Sequence, residues 1–133
     1  MAKLKIELVT PERRLLAAEA DEVIIPGSEG LFGVRPGHAP FLALMDPGPL
    51  TVREGSGSQV FFVAGGFAKI EHDQVLVLAD QAEAAQGIDK KDSSNRLQAA
   101  QEKLKGLATD VPEFESESAI VKTEMARLAI AQN

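Results

Sequence analysis

The hydrophobic pattern of this 133-residue chain changes its period once, and that change calls for a fold in two parts. Near the start, Leu4, Ile6 and Leu8 alternate with Lys3, Lys5 and Glu7, which puts the apolar side chains on one face of a half-buried strand. Further strands are predicted at Val23-Ile24-Ile25, Phe41-Leu42-Ala43-Leu44, Leu50-Thr51-Val52, Val60-Phe61-Phe62-Val63, Phe67-Ala68-Lys69-Ile70 and Val75-Leu76-Val77-Leu78, as far as about Gln81. Between them stand Pro26-Gly27, Pro47-Gly48-Pro49, Gly55-Ser56-Gly57-Ser58 and His72-Asp73, which supply the fixed or positive φ of tight reversals. Many short strands at this spacing imply a sandwich or a barrel.

After Gly87 the β-branched residues thin out and Ala, Gln, Lys and Glu take over, so residues 1–87 and 88–133 are read as separate parts. In the second part Asp89 is the predicted cap of a helix in which Leu97, Ala100, Leu104 and Leu107 recur at intervals of three and four, with Gly106 near its end. A second helix is expected from Asp110 as cap and Pro112 in the first turn, with Glu113, Glu115 and Glu117 near the positive end of its dipole. Its apolar stripe is predicted to be Phe114, Val121, Met125 and Leu128, and the two helices should pack as an antiparallel hairpin. An exposed stripe on such a hairpin needs a partner surface, and three or four buried apolar groups at roughly 1.5–3 kcal/mol each, offset by ordering entropy, make docking reversible.

Composition narrows the function classes. A formal charge of −6 without a Lys/Arg cluster argues against nucleic-acid binding. The absence of cysteine removes disulfides, thiolate zinc sites and a cysteine nucleophile together. No window approaches the roughly 18–20 apolar residues of a membrane span, so no direct insertion is expected. Gly27, Gly30 and Gly33 resemble a phosphate loop only superficially, because no Gly-Lys-Ser/Thr follows. His38 and His72 are too few for a histidine-rich metal site, and Glu19, Asp21 and Glu22 read as a solvated face rather than as the paired carboxylates of a hydrolase.

The densest signal is Pro26-Gly27-Ser28-Glu29-Gly30-Leu31-Phe32-Gly33-Val34-Arg35-Pro36-Gly37-His38-Ala39-Pro40, punctuated so heavily by Gly and Pro that it is read as a shaped loop and turn, not a regular strand. It matches at every position a loop of the form G-x-x-G-x-x-G-x-x-P-G-H-A-P and resembles the signature of the epsilon subunit family of F-type ATP synthases. Val9-Thr10-Pro11-Glu12, Pro47-Gly48-Pro49-Leu50, Gly65-Gly66-Phe67 and Leu78-Ala79-Asp80 extend the resemblance along the chain. The resemblance implies a ten-stranded sandwich of two sheets followed by a helical hairpin that either folds down on the sandwich or extends along a central shaft.

It further implies a non-catalytic rotor-stalk subunit, without an active site of its own, that couples proton- or sodium-driven ring rotation to ATP synthesis. The expected partners are the gamma subunit, the c subunits of the membrane ring and, transiently, the alpha and beta subunits. The expected location is the cytoplasmic face of the bacterial inner membrane, as a peripheral protein. By the resemblance, Glu29, Gly30, Leu31, His38, Ala39 and Pro40 face the ring, while Lys122 and Arg127 meet acidic helices of the catalytic head when the tail extends and restrain ATP hydrolysis. The tail is not a basic arm, since its acidic and basic residues nearly balance.

Some family members bind ATP through I/L-D-x-x-R-A at the start of the first helix. Here Glu83, Ile88 and Asp89 match and Arg96 lies one turn on, but Asp92-Ser93 stands where Arg-Ala is expected. An acidic group where a phosphate needs a cation is repulsive, so the expectation is no cofactor, with ATP disfavoured as a regulatory ligand. The alternative reading is a small β-sandwich ligand-binding module with a helical oligomerisation arm.

Overall fold

The computed structural model describes residues 2–131, which form ten strands and two helices. The strands are β1 (Leu4–Val9), β2 (Arg14–Ala20), β3 (Glu22–Gly27), β4 (Gly30–Val34), β5 (Phe41–Leu44), β6 (Gly48–Glu54), β7 (Gly57–Ala64), β8 (Phe67–Glu71), β9 (Gln74–Leu78) and β10 (Gln81–Ala84). A single 3₁₀ turn over Ala85–Gly87 leads to α1 (Lys90–Lys105) and α2 (Pro112–Ile130).

The strands make two five-stranded sheets, ordered β2-β1-β9-β8-β5 and β10-β7-β6-β3-β4. Only β1 and β9 run parallel; the other pairings are antiparallel. The alternation expected for β1 holds, with Leu4, Ile6 and Leu8 buried in the core. They meet Ile70, Val75 and Val77 of their own sheet and Val23, Ile25, Leu50 and Val63 of the other in one hydrophobic cluster. The sheets touch where Gly27 bridges Met45 and the Ser28 N–H donates to the Leu44 carbonyl at 2.9 Å. This brings the edge strands β4 and β5 to the same side of the sandwich.

Three strands lie outside the ranges expected from periodicity, and each runs along a sheet edge or ends one. β2, Arg-Leu-Leu-Ala-Ala-Glu-Ala, has the composition of a helix and becomes a strand because β1 offers it a full antiparallel register from Leu4↔Ala20 to Leu8↔Leu16. β4 corrects the reading of residues 26–40 as loop alone: Val23↔Val34, Ile24↔Gly33 and Ile25↔Phe32 pair it with β3, and glycine is tolerated because the strand is an edge. β10 is short and polar, and holds to β7 through Gln81↔Ala64 to Ala84↔Phe61. The expected His72-Asp73 turn joins β8 to β9, both residues having positive φ (51° and 59°) as a tight hairpin requires.

The helices pack against each other, and α2 lies over β6 and β7 on the outer face of the second sheet. Asp89 caps α1 as expected, accepting from the Asp92 N–H at 3.0 Å. Gly106 follows the last residue of the helix, and Leu107 lies beyond it. The expectation for α2 is corrected twice. Val111, not Asp110, occupies the cap position, and no side chain bonds the first turn there. Met125 is 55% exposed and leaves the predicted stripe, whose other members Phe114, Val121 and Leu128 are half-buried; the fully buried residues of the helix are Glu124 and Arg127.

Gly65 and Gly66 turn the chain from β7 into β8 with φ of 70° and 81°. A Cβ on Gly66 would run into the Leu78 carbonyl, which is backbone and cannot yield. We therefore expect Gly66→Ala to cost several kcal/mol in urea denaturation, through strain at positive φ plus this clash. Gly87→Ala, whose Cβ meets open space, should change stability by no more than about 1 kcal/mol.

Candidate functional site

The β3–β4 hairpin, the 35–40 loop and β5 meet at one end of the sandwich. Glu29, Gly30, Leu31 and His38 line a common groove there with Phe41, Leu42 and Leu44. Ala39 and Pro40 are exposed on the loop between His38 and β5. The loop has defined anchors. The Gly37 N–H, at φ 90°, donates to Asp73 Oδ1 at 2.7 Å, and the His38 N–H donates to the Arg35 carbonyl at 3.1 Å. The His38 Nδ1 lies 2.6 Å from the Ala39 carbonyl oxygen, an arrangement that puts the proton on Nδ1. Phe41 packs edge-on against Phe32 with centroids 5.5 Å apart, so an aromatic pair props the groove floor.

Motif reasoning found the loop but missed its apolar neighbours. Leu42 and Leu44 are 65% and 69% exposed, although Phe-Leu-Ala-Leu reads as a buried strand in sequence. Cross-strand register explains where they point. Leu44 pairs with Phe67, Phe67 with Leu78 and Leu78 with Val9, so these four form a row on the outer face of the first sheet, opposite the core positions. Leu42, Lys69 and Leu76 form the next row. Within the described residues no helix covers this face, in contrast to the second sheet.

The acidic residues near β3 are committed to ion pairs. Asp21 meets Lys3 at 2.6 Å and accepts from the Gly55 N–H, and these two bonds, Lys3 first, hold its carboxyl below the usual carboxylate range. Glu22 faces Arg35 and Arg53 at 3.2 and 3.3 Å. Among the described residues no group of three or more His, Asp or Glu is arranged to hold a metal.

At the other candidate site, the junction of sandwich and hairpin, the structure gathers some of the named residues and separates others. Glu83 on β10 and Arg127 on α2 join at 2.6 Å, and Arg96 lines the same cleft while pairing with Asp92 at 3.1 Å. Ile88 is instead fully buried in a small apolar cluster with Phe62 and Ala64, and Asp89 spends its carboxylate on the α1 cap. The Arg127 guanidinium also donates to Glu124 Oε1 at 2.7 Å, and the Ser93 hydroxyl donates to that same oxygen at 2.6 Å. Burial opposes the charge on Arg127, but the two carboxylates outweigh it and hold its pKa above the ordinary guanidinium value. Lys122 reaches Asp46, just after β5, at 3.3 Å. Ser93 and Glu124 were not named as site residues; the only sequence signal for them was that Ser93 breaks the nucleotide motif.

The site is thus a sandwich with exposed apolar side chains at one end, and a helical pair held to the other sheet by a small apolar cluster and by ion pairs, an arrangement of surfaces rather than of catalytic groups. A family model described as "ATP synthase, Delta/Epsilon chain, beta-sandwich domain" matches residues 3–85. The ATP synthase epsilon chain of Myxococcus xanthus is 53% identical over 131 residues, covering 98% of this chain and 96% of the relative. That of Anaeromyxobacter sp. strain Fw109-5 is 41% identical over 128 residues, with 96% and 97% covered. A chain in the OSCP/F1/c-ring structure of the Euglena gracilis mitochondrial ATP synthase shares the fold with a TM-score of 0.85 at 22% identity, over 97% of this chain and 81% of that one. The chain belongs to the ATP synthase delta/epsilon family.

Asp73 is the side chain that ties the 35–40 loop to the body of the sandwich. Asp73→Gly, which keeps the positive φ without strain and removes the acceptor, should speed hydrogen exchange at the Gly37 amide by about tenfold, the equivalent of a lost bond worth ~1.4 kcal/mol, with far less effect on β8 and β9.

Proposed function

We propose that this chain works as a non-catalytic central-stalk subunit of a bacterial ATP synthase, peripheral at the cytoplasmic face of the inner membrane, that couples ring rotation to ATP synthesis. The observation that carries the reading is the pair of uncovered apolar surfaces meeting at β5: the Leu44, Phe67, Leu78 and Val9 row on the first sheet, and the groove around Leu31 and Phe41 at the end of the sandwich. In this reading the sheet face seats the gamma subunit, while the Glu29, Gly30, Leu31 and His38, Ala39, Pro40 loops meet the polar loops of the c subunits. Edge strands, an aromatic prop and the Asp73 anchor give the ring-facing loops a fixed shape, which torque transfer needs. No helix of the described residues is long and apolar enough to cross a membrane, so attachment runs through these partners.

Lys122 and Arg127 are proposed to meet acidic surfaces of the alpha and beta subunits when the tail leaves the sandwich, restraining ATP hydrolysis. ATP is not proposed as a ligand. Arg127 and Glu83 satisfy each other, Arg96 is paired with Asp92, and a phosphate entering the cleft would face the carboxylates of Glu12 and Asp80 as well.

Leu42→Glu with Leu44→Glu should lower gamma retention on co-purification at least tenfold, or about 1.4 kcal/mol, while the variant keeps its own thermal midpoint. Leu31→Glu should leave gamma bound but lower ion pumping per ATP hydrolysed in the reassembled enzyme. Full gamma retention by the double variant would remove the sheet-face assignment. Titration of the whole chain with millimolar ATP should give no saturable heat.

A further inference from the structure

The Gly-Pro segment leaves β4 through a turn that is held to both sheets. The His38 N–H donates to the Arg35 carbonyl at 3.1 Å, Pro36 stands second and Gly37 third with φ 90°, the arrangement of a type II turn. On one side the Gly37 N–H donates to Asp73, between β8 and β9 of the first sheet. On the other side the hold is a side chain of β3. Glu22 stands opposite Arg53 in the β3–β6 register, and Arg35 lies one residue beyond the Val23↔Val34 pair of β3 and β4. Strand register therefore sets Arg35, Glu22 and Arg53 in one row across β4, β3 and β6. Glu22 Oε2 accepts from Arg35 Nε at 3.2 Å and Glu22 Oε1 accepts from Arg53 Nη1 at 3.3 Å. The Glu22 side chain is only 17% exposed, against 76% and 55% for the two arginines, so the carboxylate is the fixed member of the row.

Gly33 makes room for this row. Its φ is not positive, so backbone conformation does not demand a glycine there. Space does: a Cβ on Gly33 would lie 3.0 Å from Glu22 Oε2, the same oxygen that takes Arg35, and within 4 Å would meet only that carboxyl group. We propose, on the ring-contact reading of residues 38–40, that Glu22 is the positioning residue of that loop: its carboxylate lies across Gly33, pins Arg35, fixes the tilt of the Pro36-Gly37 turn and so sets where His38, Ala39 and Pro40 stand toward the ring. Asp73 holds the turn at the Gly37 amide, and a body held at one point can pivot about it. The Glu22–Arg35 contact is a second attachment, two residues earlier and to the other sheet, and it removes the pivot. Arg53 keeps the carboxylate in place from the far side. Because both arginines are exposed, these pairs add little to global stability, and their effect is on orientation.

The test uses the whole chain, first alone and then in the assembled enzyme. Glu22→Ala should speed hydrogen exchange at the His38 amide about threefold, with amides of β1, β8 and β9 unchanged. Gly33→Val suits an edge strand and puts its side chain where the carboxylate lies, so it should give the same acceleration alone and none when added to Glu22→Ala. That dependence separates positioning through Glu22 from a general loosening of β4, which Gly33→Val would cause in either background. An unchanged His38 amide in both single variants, or an equal effect of Gly33→Val with and without Glu22, would overturn the role of Glu22. In the assembled enzyme both single variants should keep gamma bound and lower ion pumping per ATP hydrolysed. Unchanged pumping in these two while Leu31→Glu lowers it would overturn the positioning role and leave the ring contact standing. Unchanged pumping in all three would overturn the ring-contact reading and the positioning role with it.

Discussion

β7 is covered on both faces, and much of the molecule's asymmetry follows from that. Phe61 and Val63 point into the sandwich, while Phe62 and Ala64 point out, yet all four are buried because the hairpin and Ile88 close over the outer pair. The second sheet is thus a middle layer. The first sheet is covered within, and its outer face carries the row from Leu44 to Val9 with no helix of the described residues packed on it. A chain of this size could have spread its apolar surface evenly. Instead, among the described residues, it covers one sheet with its own tail and leaves the outer face of the other without a helix.

How far the sequence carried the fold depended on where each strand sits. Leu4, Ile6 and Leu8 announce β1 because a strand with one buried face must alternate, and the continuous run of β7 announces burial on two faces. β2, β4 and β10 carry no such pattern, since each owes its conformation to a neighbour's unpaired edge rather than to its own side chains. In α2 the helical period was right, Phe114, Val121 and Leu128 are half-buried, and Met125 was the misplaced member of the stripe. Met125 was placed inside on hydrophobicity, whereas the side chains turned inward are Glu124 and Arg127, charges that are tolerable there only because Glu83 and Ser93 wait for them. Counterparts so distant in sequence leave no local trace.

The candidate site was legible in a similarly uneven way. Glycine and proline spacing located the 26–40 segment, and the structure brings Glu29, Leu31 and His38 from its two ends to one groove. Neither Leu42 and Leu44 nor Asp73 could be read, because exposure of a leucine and a bond across more than thirty residues are properties of the assembled sandwich. The nucleotide motif gave the opposite lesson. A broken pattern at Asp92-Ser93 looked like simple loss, but Ser93 is fully buried and bonded to Glu124, so the departure is part of a different, self-satisfied arrangement.

That arrangement also bears on the exposed edge at β5. A short apolar strand at a sheet edge, with leucines facing solvent, invites pairing with other chains unless something covers it. Asp46 follows this strand directly: its N–H donates to the Pro26 carbonyl and its carboxylate meets Lys122 of α2. One residue thereby touches the first turn of the Gly-Pro segment, the end of the exposed edge and the docked hairpin. A backbone bond fixes Asp46, whereas its pair with Lys122 is exposed and weak, so the place of Asp46 at the edge does not depend on the hairpin. The exposed edge at β5 and the docked hairpin are therefore adjacent in space yet joined here by a single exposed ion pair.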